Sequence, residues 1–425
     1  MYNVIIIGGG AAGFYAAIHI ADSNPELKIA ILERGKNVLS KVKVSGGGRC
    51  NVTHAEFDPG ELVKNYPRGE KELLGPFHTY CSGDVIGFFE ERGVALKIEE
   101  DGRMFPVSNS SQTIIDCFLN EINRLNIKLL RHSTVTNIER ITEDKEPFWQ
   151  ITSIKNTYKS KKILVATGSN PKIWNMLEGL GHTIEPAVPS LFTFNIDDDR
   201  ISAVPGLSTN ARVEVLAKKI YNPNITIKLR SKVADEPLLT SEGPLLITHW
   251  GMSGPAILKL SAWGARILNK QDYKFSIRVN WLPDYHEGAV INLLMEIKDI
   301  EAKKTVLRTK AFDIPRRLWT KLVRASDIRQ DLKWADTTKK QLQNLADQLT
   351  KGVFKVDGKS TFKEEFVTAG GVTLKEINFK TFESKIHPNL YFAGEVINVD
   401  AITGGFNFQN AWTGAYIAAK SIAKQ

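Results

Sequence analysis

The chain has 425 residues, 42% hydrophobic and 24% charged, with a formal charge of +9. That length exceeds one ordinary core, so two or three domains are expected, and the composition is that of a soluble globular protein. Three cysteines, Cys50, Cys81 and Cys117, without C-x-x-C spacing fit a reduced cytoplasm and argue against a zinc site. Val4 to Ala21 is apolar, yet it lacks a basic leader and carries three consecutive glycines and His19, so export is not expected; no other span suits a bilayer.

The chain opens on Val4-Ile-Ile-Ile-Gly-Gly-Gly-Ala-Ala-Gly13. Ile5, Ile6 and Ile7 predict a strand buried on both faces, as at the centre of a parallel sheet. Gly8, Gly10 and Gly13 follow in G-x-G-x-x-G order, and the stretch from Ala11 to Ala21 predicts an apolar helix. A second strand, Lys28 to Leu32, ends at Glu33. Gly8 permits the turn out of the strand, Gly10 lets a pyrophosphate approach the backbone, and Gly13 lets helix and strand pack closely. The free N–H groups at the helix start, at Ala11 and Ala12, face the phosphates, and Glu33 is placed to hold a ribose diol. Strand, glycines, helix, strand and acid in register point to a bound dinucleotide.

Between Arg34 and Thr53 lies Lys41-Val-Lys-Val-Ser-Gly-Gly-Gly-Arg-Cys-Asn51. Gly46, Gly47 and Gly48, flanked by Ser45 and Arg49, suit a backbone that wraps a flat or phosphorylated group. No second cysteine sits close enough to Cys50 to form a dithiol pair, so it reads as a cysteine packed near the cofactor. Val85 to Glu91 and Thr113 to Leu125 have helical spacing, and Gly102 to Val107 reads as a turn into an extended stretch. Strands are expected at Lys128 to Leu130 and Thr134 to Ile138, then a hairpin of Phe148 to Ile154 with Thr157 to Lys159. Lys162 to Gly168 repeats the opening theme: a buried strand ending in Ala166, Thr167 and Gly168, small enough to pass beside a nucleotide.

From about Pro189 the pattern changes. Leu191 to Ile196, Val213 to Leu216, Ile225 to Leu229, Leu245 to His249 and Phe275 to Asn280 predict an antiparallel sheet or barrel. Ala289 to Ile297, Arg316 to Val323 and Lys339 to Leu349 predict helices. Within this block Thr248-His-Trp-Gly-Met-Ser-Gly-Pro255 departs from the strand pattern, and His249 is a candidate proton donor or a hydrogen-bonded histidine at a strand end. The expected organisation is a cofactor domain over 1–188, a β-rich insertion over 189–284, a helical subdomain over 285–350, a return over 351–365 and the rest of the cofactor domain over 366–425.

At the C-terminal end Asn389 to Glu395 forms another strand ending in Gly394 and Glu395, and Gly404-Gly405 opens a helix from about Phe408 to Ala423. An acid at 395 can hold a polyol hydroxyl, while free N–H groups from Gly405 to Phe408 can face an electron-rich ring edge. Two such sites at opposite ends of the chain suit a long dinucleotide, and the reading converges on FAD, with NAD(P) alone as the weaker choice. Lysines and arginines are spread along the sequence, with local density at Lys159 to Lys162 and Arg308 to Arg324. Solvated faces and an anionic cofactor account for most of them, so nucleic acid is not the expected partner.

With these residues in place the chain resembles the bacterial flavoprotein family of BaiN-like and aminoacetone-oxidase-type FAD-binding proteins. The resemblance rests on Gly8 to Gly13, Ser45 to Asn51, Thr248 to Pro255, Phe366 to Val372 and Ala393 to Asp400 through Thr403 to Gln409. It implies an α/β fold: a two-dinucleotide-type Rossmann FAD-binding domain with an inserted antiparallel β domain and a helical subdomain. It also implies that Glu33 binds the adenosine ribose, the backbone around Val135 the adenine, and Ser45 to Asn51 the pyrophosphate and flavin side. Glu395 would bind ribitol, and the backbone of Gly405, Phe406 and Asn407 the pyrimidine edge of the flavin. The activity implied is flavin-mediated hydride transfer with a small organic substrate, NADH or NADPH being the expected donor although no second nicotinamide fingerprint is present. Cys50 and His249 are the polar candidates for catalysis. The alternatives are an RNA-modifying flavoenzyme, which the basic charge suggests, and a non-catalytic flavin-binding redox sensor.

Overall fold

Val4, Ile5 and Ile6 are completely buried, and they lie in the first strand, β1 (Tyr2–Ile7), at the centre of a parallel sheet. Each such side chain contributes roughly 1.5–3 kcal/mol of burial, which fixes this strand inside rather than at an edge. The structure is a computed structural model that describes residues 1–216, 237–360 and 367–424. The chain divides into two compact units, Met1–Pro189 with Lys363–Gln425, and Ser190–Phe362.

In the first unit, β1 is followed by helix α1 (Ala11–Ser23) and β2 (Ile29–Leu32), then by β3 (Lys128–Leu130), β4 (Val135–Glu143), β5 (Glu146–Ser153) and β6 (Thr157–Val165). A last strand, β7 (Leu390–Phe392), completes the parallel order β7-β6-β1-β2-β3. Register pairs Ile7 with Leu32 and with Val165, Leu32 with Leu130, and Val165 with Phe392. All five carboxyl ends therefore finish along one edge. Connections leave β1 toward β2 on one side while β6 joins it on the other, so a crevice opens outside those ends where ligands of such sheets bind.

The strand expected at Thr157 to Lys159 and the one expected from Lys162 are a single strand. β6 pairs antiparallel with β5 along its first half and parallel with β1 and β7 along its second. Two edges of different character explain why its periodicity changes midway: the first half is half-exposed, while Ile163, Leu164 and Val165 are fully buried. Among the helices that escape the periodicity reading are Glu70–Thr79, Pro171–Gly179 and Pro255–Asn269. The last two start on a proline in the first turn, where the missing N–H is harmless, and Pro255–Asn269 buries Ile257, Leu260 and Leu268 on one face.

The chain leaves the first unit through Ile184–Pro189 and returns through Thr368–Val372, which pair antiparallel side by side. Among its described residues the second unit holds a seven-stranded antiparallel sheet, including Ser208–Leu216, Pro237–Thr248, Lys274–Asn280 and Gly352–Asp357. Its sheet and its helices share one hydrophobic core, in which Val213 and Ile277 of the strands meet Leu260, Leu294, Leu322 and Leu345 of the helices. The strand expected at Ile225 to Leu229 and the residue Phe366 lie outside the described residues. Among the described residues no helix is long and apolar enough to cross a membrane.

Candidate functional site

The carboxyl edge of the parallel sheet gathers most of the residues singled out from the sequence. Gly8 leaves β1 at φ 118°, and a Cβ there would lie 2.4 Å from the Ala166 carbonyl oxygen, so the chain has no room for a side chain. A Cβ on Gly13 would lie 2.0 Å from the Gly8 carbonyl oxygen, which is how α1 closes against β1. Gly10, between them, caps α1 and meets nothing within 4 Å. Packing thus requires two of the three glycines, while the third, with Ala11 and Ala12 behind it, faces open space.

Glu33, at the end of β2, accepts from the Gly9 N–H at 2.9 Å on one carboxylate oxygen and from the Gly35 N–H at 2.7 Å on the other. Each oxygen keeps a second lone pair, so the carboxylate is oriented and can still accept hydroxyls. The Glu33 carbonyl accepts from the Ser133 N–H at 2.8 Å, which brings the backbone leading to Val135 alongside the acid. Arg34 is exposed. Beyond the neighbouring strand ends lie Thr167 and Gly168, and a Cβ on Gly168 would stand 3.6 Å from a Glu395 carboxylate oxygen. Gly394, at φ 75°, fits where α1 and the C-terminal helix meet, its Cβ position 3.3 Å from Ala12 Cβ.

The glycine-rich second stretch is half helix and half turn. Helix α2 (Ser40–Gly48) is regular only to Val44; Ser45 turns to extended geometry and Gly46, Gly47 and Gly48 take φ of 57°, 68° and 85°. A run of left-handed residues turns successive N–H groups to one side, a geometry that binds anions or electron-rich edges. Cβ atoms on Gly47 and Gly48 would meet nothing within 4 Å, whereas one on Gly46 would touch the Phe105 ring. Arg49 lies over that ring at 3.9 Å and pairs with Glu99 at 2.6 Å. Lys41, on the first turn of α2, pairs with Glu395. The two ends of the sequence therefore meet here.

From Asn51 onward the chain runs along the first turns of the C-terminal helix α3 (Phe406–Lys424), which starts two residues earlier than expected. Asn51, in the amide orientation that satisfies both its ends, accepts from the Gly405 N–H at 2.9 Å and donates to the Thr53 and Met104 carbonyls. Thr53 donates its hydroxyl proton to Gln409 at 2.5 Å, and the Trp412 indole donates to the Val52 carbonyl at 2.9 Å. His54 bonds the Gly404 carbonyl at 3.0 Å and stacks on Phe406 at 4.5 Å. Asn407 clamps the preceding turn, accepting from the Ala401 N–H at 3.0 Å and donating to the Ala401 carbonyl at 3.1 Å. Behind it the buried Asp400 forms a two-pronged ion pair with Arg68.

Sequence reasoning passed over His54, Arg68, Asp400 and Gln409. The first, third and fourth stand in or beside the quoted motifs, so motif extension would have reached them; Arg68 carries no local signal.

The two candidates for catalysis fall apart in character. Cys50 is fully buried, and burial pushes its thiol up to about 12 although the Ser45 hydrogen bond pulls the other way. It is therefore a thiol, not a thiolate, at neutral pH. His249 belongs to the second unit, where Thr248 pairs with Gly251 around a two-residue turn, and it is exposed there beside Trp250.

The sequence profile described as the HI0933-like protein Rossmann domain matches residues 2–421. A ribosomal RNA dihydrouridine synthase of Haemophilus influenzae is 30% identical over 432 residues, covering 99% of this chain and 98% of that protein. A 3-dehydro-bile acid delta(4,6)-reductase of Clostridium scindens is 25% identical over 433 residues, covering 100% of each. Among solved structures, a 3-ketosteroid-delta4-(5alpha)-dehydrogenase from Rhodococcus jostii RHA1 is 12% identical with a TM-score of 0.50, covering 100% of this chain and 97% of that one. That last likeness is one of fold.

Proposed function

The chain belongs to the HI0933-like family of FAD-binding Rossmann oxidoreductases, and from that premise we propose that it reduces a carbon–carbon double bond conjugated to a carbonyl. The names of these two full-length relatives, among others, support this reading. Dihydrouridine arises when two hydrogens add across the uracil double bond next to a carbonyl, and a delta(4,6)-reductase of a 3-oxo steroid acts on the same kind of bond. One observation carries the choice of substrate: the 30% identity to a ribosomal RNA dihydrouridine synthase runs over 99% of the chain. Joined to a formal charge of +9, it favours a uridine of ribosomal RNA, the RNA-modifying alternative of the sequence reading over its expectation that nucleic acid is not the partner.

The residues fit FAD. Open space at Gly10, Gly47 and Gly48 contrasts with the closed packing at Gly8, Gly13 and Gly405, so a ligand can approach the backbone at the first three. In this assignment Glu33 holds the adenosine ribose, the backbone near Val135 the adenine, and the α1 N-terminus with Ser45 to Asn51 the diphosphate. Arg34 and Lys41 supply positive charge, Ala166 to Gly168 the narrow wall, Gly394 and Glu395 the ribitol contact, and Gly404 to Asn407 the pyrimidine edge.

Bound FAD supplies hydride transfer between a nicotinamide donor and the substrate. The chain orients that chemistry: the buried Asn51 side chain fixes Gly405, and the Asn407 clamp fixes the turn before it. NADH or NADPH would supply the hydride and solvent the proton, which together make the pair of hydrogens added. The test is an anaerobic spectrum of the purified protein with each donor, followed by addition of unmodified ribosomal RNA or of a conjugated steroid ketone. Flavin bleached by the donor and restored by RNA, with dihydrouridine in the product, supports the reading. Restoration by the ketone alone moves the substrate to the small-molecule class, and a protein that takes up no FAD overturns the whole assignment.

A further inference from the structure

We infer that a cleft within the second unit binds an unpaired segment of RNA; the inference rests on the RNA reading above. The cleft, about 820 Å³, lies between Ser208–Asn210, Trp281–Tyr285 and the segment from Leu307 to Arg316. Three features of its lining suit such a ligand.

The first is the rim. Arg308, Lys310 and Arg316 are exposed, and among the described residues neither arginine has a carboxylate partner. Lys310 pairs with Asp313 at 3.2 Å, but both are almost wholly in water, where the pair is weak and a phosphate competes readily. Asp284 is the other acid of the lining. The second is an aromatic wall: Tyr285, 41% exposed, stands edge-on to the Phe312 ring at 5.6 Å. A base stacks on such a ring whatever its sequence.

The third is an unmet donor. Trp319 donates its indole N–H to the Val306 carbonyl at 3.1 Å and Trp334 to the Thr309 hydroxyl at 2.8 Å. Trp281 is 1% exposed, lines the cleft, and its N–H has no acceptor among the described residues. A buried donor calls for an acceptor; the N–H is closed to solvent here, and a small opening of the cleft would offer it to a carbonyl or ring nitrogen of a splayed-out base. Cations for phosphate, a ring for stacking and a buried donor for a base edge are the elements of single-strand recognition.

The probe is a short fluorescein-labelled single-stranded oligoribonucleotide titrated into the FAD-loaded protein at several salt concentrations. The triple variant R308A/K310A/R316A is expected to bind more weakly, with a salt slope lower by about 2, from three phosphate contacts at roughly 0.7 each. A control of equal charge change in the same unit, K333A/K339A/K340A, is expected to bind as wild type does. Tyr285→Ala is expected to raise Kd about five-fold or more, and Trp281→Phe, which keeps the shape and removes the donor, to raise it as well. Flavin spectra, thermal unfolding and reduction by the nicotinamide donor should not change in any of them. If wild type binds and the triple variant binds equally, or the control is weakened as much, the cleft is the wrong place while the RNA reading stands. If wild type binds no RNA, the RNA reading itself fails.

Discussion

Substituting Gly10 by alanine separates the cradle from the fold. Gly10 has φ −96° and ψ −169°, extended backbone open to any residue, and an added Cβ meets nothing within 4 Å. Trimming the unfolded chain's freedom contributes about 0.4–1 kcal/mol, and the poorer helix cap costs about 0.5–1 kcal/mol, so stability should stay within about 1 kcal/mol of wild type. In the proposed cradle, however, the methyl group stands where the diphosphate would approach the start of α1. Losing one charge-assisted hydrogen bond there costs about 1.5–3 kcal/mol, which weakens FAD binding roughly 10- to 150-fold. Gly13→Ala is the contrast: its Cβ would sit 2.0 Å from the Gly8 carbonyl oxygen and 3.3 Å from Ile6 Cγ2, so strand and helix must part, at about 1–3 kcal/mol or more. Thermal unfolding of the apoproteins and FAD titration by flavin fluorescence read the two effects separately. A Gly10→Ala protein that binds FAD as wild type does would refute the placement of the cradle, and one that unfolds like Gly13→Ala would refute the packing argument.

Burial, with Arg92 and Lys420 nearby, lowers the His19 imidazole to about 3, so the folded protein keeps it neutral while the unfolded chain protonates near its ordinary value of 6.5. Stability from this group is whole above that ordinary value and is lost as pH falls toward 3; between pH 7 and 5 the loss should be about 2 kcal/mol, and urea unfolding of His19→Phe should show a correspondingly flatter pH dependence. Asp400→Ala takes the carboxylate from the largely buried Arg68 guanidinium and should cost about 3 kcal/mol, whereas the double change Arg68→Met with Asp400→Leu should recover much of it; a neutral single variant contradicts the role given to the pair. With iodoacetamide at about pH 8, Cys81 should alkylate in the native protein while Cys50 stays unmodified until unfolding, and early modification of Cys50 by mass spectrometry would show that its burial has been misread.

What the sequence determined by itself is the local part of the candidate site. Val4 to Gly13 announces strand, turn and helix because consecutive β-branched residues and unavoidable glycines act within a few residues of each other, and Glu33 follows from strand length alone. Gly404-Gly405 likewise announces a helix start. What only the tertiary structure decided depends on pairings between distant stretches. β6 reads as two strands until its partners are known, since one half answers to β5 and the other to β1 and β7. Lys41 meets Glu395, Asn51 meets Gly405 and Arg68 meets Asp400 across more than three hundred residues, and no periodicity encodes such contacts. The same holds for the second unit, where alternating strands and amphipathic helices are each legible but share a single core, and where Tyr285 and Arg308 come to one cleft because that core folds their loops together. Local chemistry is written along the chain; the convergence of its parts comes from burying apolar faces against partners that the chain meets only once it has folded.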